Sequence, residues 1–438
     1  MGLLRRIRHE AEARLVGPAV AGLNAARRLR RLEAKAPQPP LGPPLRSGVR
    51  LRAIVERYYF AGRTADGARP VAWITSGAPV EVLRPLGYYV VYPENHAAVC
   101  GATRTAQDLC EAAERAGHSR DLCSYARTDI GALLAGRTPV GRLPKPDLLV
   151  CCTNICQTVA GWYRTLARET GARLVFVDTP FLQGDLLPHH TAYVRRQVET
   201  LAAEAERVAG REMRMPDLER SLRSAQDAAF LWGECLATAR ARPAPWGGIE
   251  AFFHMAPIVV LRGLDEAQEY YRDLLQELRE RCAAGVAGIE GERVRLVWDN
   301  LPIWSELRRL GDLLAARRAN LVAATYTHAW SECADLFSAG DPFDAIAATY
   351  TSVLLNRDLA HRARGLADLA RRYGAHGVLF HSDRSCKPYS LGQHGLRDLL
   401  AREHGIPGVV VEADHSDPRS VAWEAAANRI EAFIEGLG

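Results

Sequence analysis

Eight short apolar runs, each followed by a stretch with helical periodicity, limit how this chain can fold more than any other feature. They lie at 71–76, 88–92, 148–152 and 174–177, and again at 295–298, 321–325, 378–380 and 409–411. Runs that are apolar throughout, rather than alternating, are buried on both faces; with helices between them they imply parallel sheets covered on both sides. Residues 189–245 interrupt the pattern with a charged stretch rich in Ala, Glu and Arg, which has helical spacing and no strand signal. The fold class is therefore α/β, with two parallel-sheet domains and a helical connector. A length of 438 residues agrees, since single cores stop growing near about 250–300 residues. The expected division is 1–45, 46–188, 189–255 and 256–438: a basic arm with a Pro-rich linker, the first α/β domain, the connector and the second α/β domain. No internal repeat is strong enough to assert, and the crevice between the domains is the default site.

The arm carries Arg5, Arg6, Arg8, Arg27, Arg28, Arg30 and Arg31 among leucines and valines at helical spacing. It reads as an amphipathic helix packed on the body or on a partner subunit. Residues 36–44 form a Pro-rich, semi-rigid linker. The net charge of +5 is spread, without a basic stripe bearing aromatics, so it favours an acidic small molecule or partner and gives no case for nucleic acid. No run of about 18 uncharged apolar residues exists, which argues against a membrane span. The N-terminus lacks the form of a secretory signal, and Met1-Gly2 is not followed by the hydroxyl residue that myristoylation wants, Arg6 standing there instead. A cytoplasmic location is expected, in which the ten cysteines are free thiols or metal ligands rather than disulfides.

Three cysteines have matching settings. Cys386 follows the 378–380 run on a polar loop, 381–388, that precedes a helix; Cys156 follows the 148–152 run just before another; Cys123 lies on a polar loop between two helical stretches. Helix N-termini favour thiolates. Three thiolates from separate loops suit an iron–sulfur cluster with one iron left open, and zinc would accept the same set. The spacing does not choose between them. Cys100, Cys110, Cys151, Cys152, Cys235, Cys282 and Cys333 read as small apolar core residues.

Pro93-Glu-Asn-His-Ala97, Asp121-Leu-Cys-Ser-Tyr-Ala-Arg127, Asn154-Ile-Cys156 leading to Trp162-Tyr163, Val177-Asp-Thr-Pro180, Leu301-Pro-Ile-Trp304, His381-Ser-Asp-Arg-Ser-Cys-Lys-Pro388, Gly405-Ile-Pro407 and Glu412-Ala-Asp414 occur in order. Over roughly residues 50–425 the chain resembles the 2-hydroxyacyl-CoA dehydratase and benzoyl-CoA reductase family through these motifs. The resemblance implies two flavodoxin-like domains around a [4Fe-4S] cluster held by Cys123, Cys156 and Cys386. It also implies a related sister subunit, or a second copy, as dimer partner and a separate ATP-hydrolysing activator that supplies single electrons. The substrate would be an acyl-CoA, either a 2-hydroxyacyl-CoA that loses its hydroxyl group or an aromatic acyl-CoA that is reduced; the wording of Tyr92–His96 stands nearer the reductase branch.

The same resemblance places Ser76 and Glu94 beside the open iron. Ser76 is suited to hydrogen-bond a thioester oxygen or bound water, and Glu94 to move the accompanying proton, with His96 assisting. The plain alternative for Glu94 is a carboxylate stabilising a helix N-terminus. Arg384 and Lys387, beside Cys386, are suited to CoA phosphates or to the cluster's charge. The competing readings are an electron-relay partner subunit without substrate, a double-cubane-cluster reductase, and a zinc-binding or metal-free scaffold.

Overall fold

The computed structural model describes residues 3–34 and 38–437. It contains two four-stranded sheets, parallel throughout. The first comprises β1 (Val71–Ile74), β2 (Tyr89–Val91), β3 (Leu148–Cys152) and β4 (Arg173–Val177), in the order β2-β1-β3-β4. The second comprises β5 (Val294–Asp299), β6 (Ala319–Ala324), β7 (Gly377–Asp383) and β8 (Gly408–Ala413), in the order β6-β5-β7-β8. The strands at the centre of each sheet, β1, β3, β5 and β7, are buried almost throughout, as their apolar composition demands. Counted within each half, the two orders are the same, the flavodoxin-like 2-1-3-4 pattern, although no repeat is visible in the residues themselves.

In such a sheet the strand order reverses once, and the crevice outside the carboxyl ends at that point receives ligands. Here the reversals fall between β1 and β3 and between β5 and β7. The loops that matter are therefore those after Ile74, Cys152, Asp299 and Asp383. One expectation is corrected: residues 381–383 are strand, not loop. His381, Ser382 and Asp383 pair with Val411, Glu412 and Ala413 of β8. Two of the polar side chains are buried against partners distant in sequence: His381 Nδ1 lies 2.7 Å from Leu301 O, and Asp383 pairs with His415.

The charged stretch after the first sheet forms two helices, Pro188–Ala209 and Met215–Ala237. The first covers β3 and β4, while the second packs on the helix Asp265–Ala283. Both principal buried clusters draw residues from the two sheets, Ile74 with Phe380 in one and Trp73 with Trp298 in the other. The halves thus share their cores. The N-terminal arm is helical over Leu3–Ala11 and Gly17–Glu33 with a π-helical turn at Glu12–Val16, and it lies on the helix Ser47–Gly62. Residues 36 and 37 of the linker lie outside the described residues, as do Met1 and Gly2; Pro40 and Gly42 bond to Glu290 and Gly288. Among the described residues no helix is long and apolar enough to cross a membrane.

A fully buried ion pair fastens the halves. Arg262 Nε lies 3.1 Å from Glu81 Oε1, its guanidinium sits 3.8 Å over the Trp330 ring, and Tyr350 donates to Glu81 Oε2 at 2.7 Å. Removing one member strands the other charge, a loss of about 3–5 kcal/mol. Arg262→Met is expected to lower the urea unfolding free energy by about that amount, with part of the loss recovered in Arg262→Met/Glu81→Gln.

Candidate functional site

The residues that follow the four central strands meet in one cavity. Ser76 and Gly77 come from the loop after β1, Ile155 and Cys156 from the loop after β3, Leu301 from the loop after β5, and Cys386 from the loop after β7; all line it. Cys123 and Glu94 line it as well, and its volume is about 170 Å³.

Each cysteine is placed by the start of a helical segment. Cys123 caps the helix Ser124–Ala135, Cys156 stands two residues before Thr158–Thr170, and Cys386 caps the short turn Lys387–Ser390. Burial, and then the neighbouring Cys123, push the Cys156 thiol up to about 12, opposed by the backbone amides of Val159 and Thr158. Burial, then Asp383, Cys123 and Cys156, hold the Cys386 thiol well above its ordinary value. Burial first, and then repulsion from neighbouring sulfur, disfavours the Cys156 and Cys386 thiolates. A bound cation removes that repulsion, because a coordinating thiol is deprotonated outright. Three soft donors at one cavity fit an iron–sulfur cluster; their sulfurs do not all lie within 4.8 Å of one another, as ligands of a single zinc ion would, and among the described residues no fourth cysteine lines the space.

Ser76 and Glu94 are joined. Glu94 Oε1 accepts from the Ser76 amide at 3.0 Å and from Ser76 Oγ at 3.4 Å, while Oε2 is buried without a partner. Burial raises the Glu94 carboxyl from 4.5 to about 7, against the stabilising Ser76 amide. It is therefore a proton carrier near neutrality on a residue of the cavity wall. The serine loop is held by Asn154, whose Nδ2 donates to Gly77 O at 2.9 Å and to Tyr350 O at 2.7 Å. The approach needs glycine: a Cβ at Gly77 would lie 2.5 Å from Asn154 Oδ1.

His96 does not reach the cavity wall. It is fully buried, 3.5 Å from Cys100 Sγ and 3.4 Å from Asp129 Oδ1, and Asp129 accepts from Trp162, which does line the cavity. Arg384 and Lys387 do not line the cysteines' cavity. They line a separate polar cavity of about 430 Å³ with Arg120 and Arg419, and Lys387 Nζ donates to Arg384 O at 3.1 Å. Cys151 and Cys152 are buried within β3.

Sequence reasoning missed the polar seam behind Cys123. His415 Nδ1 lies 2.6 Å from Asp383 Oδ2, and its Nε2 lies 2.9 Å from Ser124 Oγ and 3.7 Å from Cys123 Sγ. Ser385 Oγ donates to Asp414 at 2.6 Å and accepts from the Ser124 amide at 3.1 Å. Asp383, Asp414 and His415 stand close enough to share a metal, but Asp414 also accepts from the Ser416 and Asp417 amides and His415 is committed to Asp383 and Ser124. Their contacts are those of a self-satisfied buried network. Burial opposes the charge on Asp414, yet His415 and then the Ser124 and Ser385 hydroxyls hold it at about 2. The available signal was the Asp414-His415 pair directly after the last strand, at the edge where sites form.

The chain is similar to known proteins over nearly its whole length. The alpha subunit of (R)-2-hydroxyisocaproyl-CoA dehydratase from Clostridioides difficile is 31% identical, across 87% of this chain and 93% of that protein. The alpha subunit of (R)-2-hydroxyglutaryl-CoA dehydratase from Acidaminococcus fermentans is 26% identical, across 88% and 96%. One of the subunits of benzoyl-CoA reductase from Thauera aromatica is 28% identical, across 86% and 90%. A family model described as 2-hydroxyglutaryl-CoA dehydratase, D-component, matches residues 75–437, which takes in Ser76, Glu94 and all three cysteines. The chain belongs to the 2-hydroxyglutaryl-CoA dehydratase D-component family.

Proposed function

We propose that Cys123, Cys156 and Cys386 hold one [4Fe-4S] cluster, and that the chain is the substrate-binding subunit of an enzyme passing single electrons to a CoA thioester. The product is either a dehydrated 2-hydroxyacyl-CoA or a reduced aromatic acyl-CoA. The observation that carries the reading is the meeting of three thiols with the Ser76–Glu94 pair at a cavity where both strand-order reversals converge. When bound, the cluster supplies one-electron reduction at an open iron.

The chain's own residues supply the rest. The loop after β1 and the start of the helix after β2, Pro93–Ala102, place Ser76 and Glu94 together at the cavity wall beside the reacting end of the acyl group. Glu94, near neutrality, gives or takes the proton that accompanies electron transfer or loss of hydroxide. Asn154 and Arg262 position that pair. Arg262 Nη2 reaches Ser76 O at 3.4 Å and Ala78 O at 3.3 Å, so the serine loop is held from both sides. The apolar wall excludes water, which would otherwise quench a reactive intermediate. A sister subunit and an ATP-dependent activator complete the system; the relatives' names, each that of one subunit of an enzyme, support a partner of related kind. A pure relay subunit would have no use for a protonatable carboxyl at the cavity. Arg384 and Lys387, on their separate basic cavity, are assigned to anionic contacts outside the reacting space.

In the anaerobically assembled complex with activator and ATP, Glu94→Gln is expected to lower turnover of a CoA thioester by about 10²- to 10⁴-fold with iron content unchanged. Unchanged turnover would instead favour the relay role. Glu94 also predicts a pH effect in cluster-free protein. Its carboxyl is raised on folding from 4.5 to about 7, so its contribution to stability is fully present below pH 4.5 and lost as pH rises through 7. Unfolding free energies of wild type and Glu94→Gln should diverge across that window by on the order of 3 kcal/mol, to the disadvantage of wild type at the alkaline end.

A further inference from the structure

The lining of the cavity also constrains the acyl group. Beyond the cysteines and the Ser76–Glu94 pair, its wall is built from side chains such as Ile155, Val159, Val259, Leu354, Trp162 and Trp330. Among the described residues no Lys, Arg or His lines it. The basic side chains that approach it stand behind its wall: Arg362 lies over the Tyr389 ring and donates to Pro388 O, and His381 Nδ1 meets Leu301 O. Arg262 lies behind Trp330, where it is paired with Glu81 and bonded to Tyr350 Oη and to the carbonyls of Ile258, Ser76 and Ala78. His415 lies behind Cys123 and is bound to Asp383. Glu94, the one acidic group among the described wall residues, repels a second carboxylate when ionised. A substrate carrying a free carboxylate at the far end of its acyl chain would have to shed its water with no counter-charge, and that cost is several kcal/mol for an ion. A methyl, branched alkyl or aryl end meets a wall that is mostly apolar and aromatic, with Asn95 and Thr158 among its few polar side chains, which favours its burial.

We propose that the substrate is a CoA thioester whose acyl group is a hydrocarbon chain or ring without a second ionised group. Among the substrate types named for the relatives, this favours those of the hydroxyisocaproyl and benzoyl kind over hydroxyglutaryl. The inference rests on the reading of the cavity as an acyl-CoA site.

The test is calorimetric binding of 4-methylpent-2-enoyl-CoA, cinnamoyl-CoA and glutaconyl-CoA to the anaerobically purified, cluster-loaded protein with whatever subunit copurifies. The CoA portion is common to all three and cancels in the ratios. Glutaconyl-CoA, with its free carboxylate, is expected to bind at least about 100-fold more weakly than the other two, the effect of an unpaired buried charge. A ratio below tenfold, or no binding of any of the three, would overturn the proposal. Leu354→Arg, on a half-buried wall position, should recover glutaconyl-CoA binding by about tenfold or more, a gain that a misfolded variant cannot produce. Turnover of the matching 2-hydroxyacyl-CoA or aromatic thioesters, measured after activator, ATP and a reductant are added to the same preparation, separates the two readings. Preserved discrimination without any turnover would sink the redox assignment alone, whereas full turnover with equal binding would sink this one alone.

Discussion

The site depends on the buried contact between Ser124 and Ser385. The first follows Cys123 and the second precedes Cys386, so one hydrogen bond of 3.1 Å sets two cysteines from opposite halves of the chain beside one another. Asp414 and His415, from the end of β8, close the network around it. Polar groups this deep are costly unless every one finds a partner, and once satisfied they leave little freedom to slide. On the other side of the cavity the Arg262–Glu81 pair has the same effect, tying the loop after β1 to residues that come much later in the chain. The two halves, already sharing apolar clusters, are thereby fixed with their strand carboxyl ends facing a common space.

Within that space the chemistry follows from opposition between like charges. Burial holds the Cys156 and Cys386 thiols above their ordinary range, and neighbouring sulfur adds to the resistance. A metal centre resolves the conflict, so the arrangement is better matched to a ligand set than to three independent core cysteines. The contrast with Cys151 and Cys152 is instructive. They are adjacent in sequence, yet both sit inside β3 with neighbours that offer packing and no open position. Glu94 shows the complementary device, a carboxyl kept near neutrality by withdrawal from water while a single amide orients it.

Much of this was legible in the residues because continuous apolar runs have one good solution, the covered parallel strand, and because loops after such strands converge at a sheet edge. All eight runs became strands, and the three cysteines singled out by their settings share a cavity. What failed to show was whatever depends on contacts distant in sequence. His381 to Asp383 looked like loop because polar side chains hide a strand when their partners, Leu301 and His415, are far along the chain. Arg262 gave no local pattern, and His415 offered only its place directly after the last strand. Nearness in sequence misled in the other direction: Lys387 adjoins Cys386 yet faces a different cavity, and His96 adjoins the Glu94 helix start yet sits one layer behind the wall.

Whether these three cysteines, and no others, hold one cluster is tested most directly by iron and acid-labile sulfide in anaerobically purified protein. The comparison is with single Ala replacements of Cys123, Cys156, Cys386 and Cys151. About four of each per chain are expected, lost or sharply reduced in the first three variants and retained in Cys151→Ala. Absence of iron after anaerobic reconstitution, retention of the full complement in all three ligand variants, or about eight of each per chain would contradict that assignment.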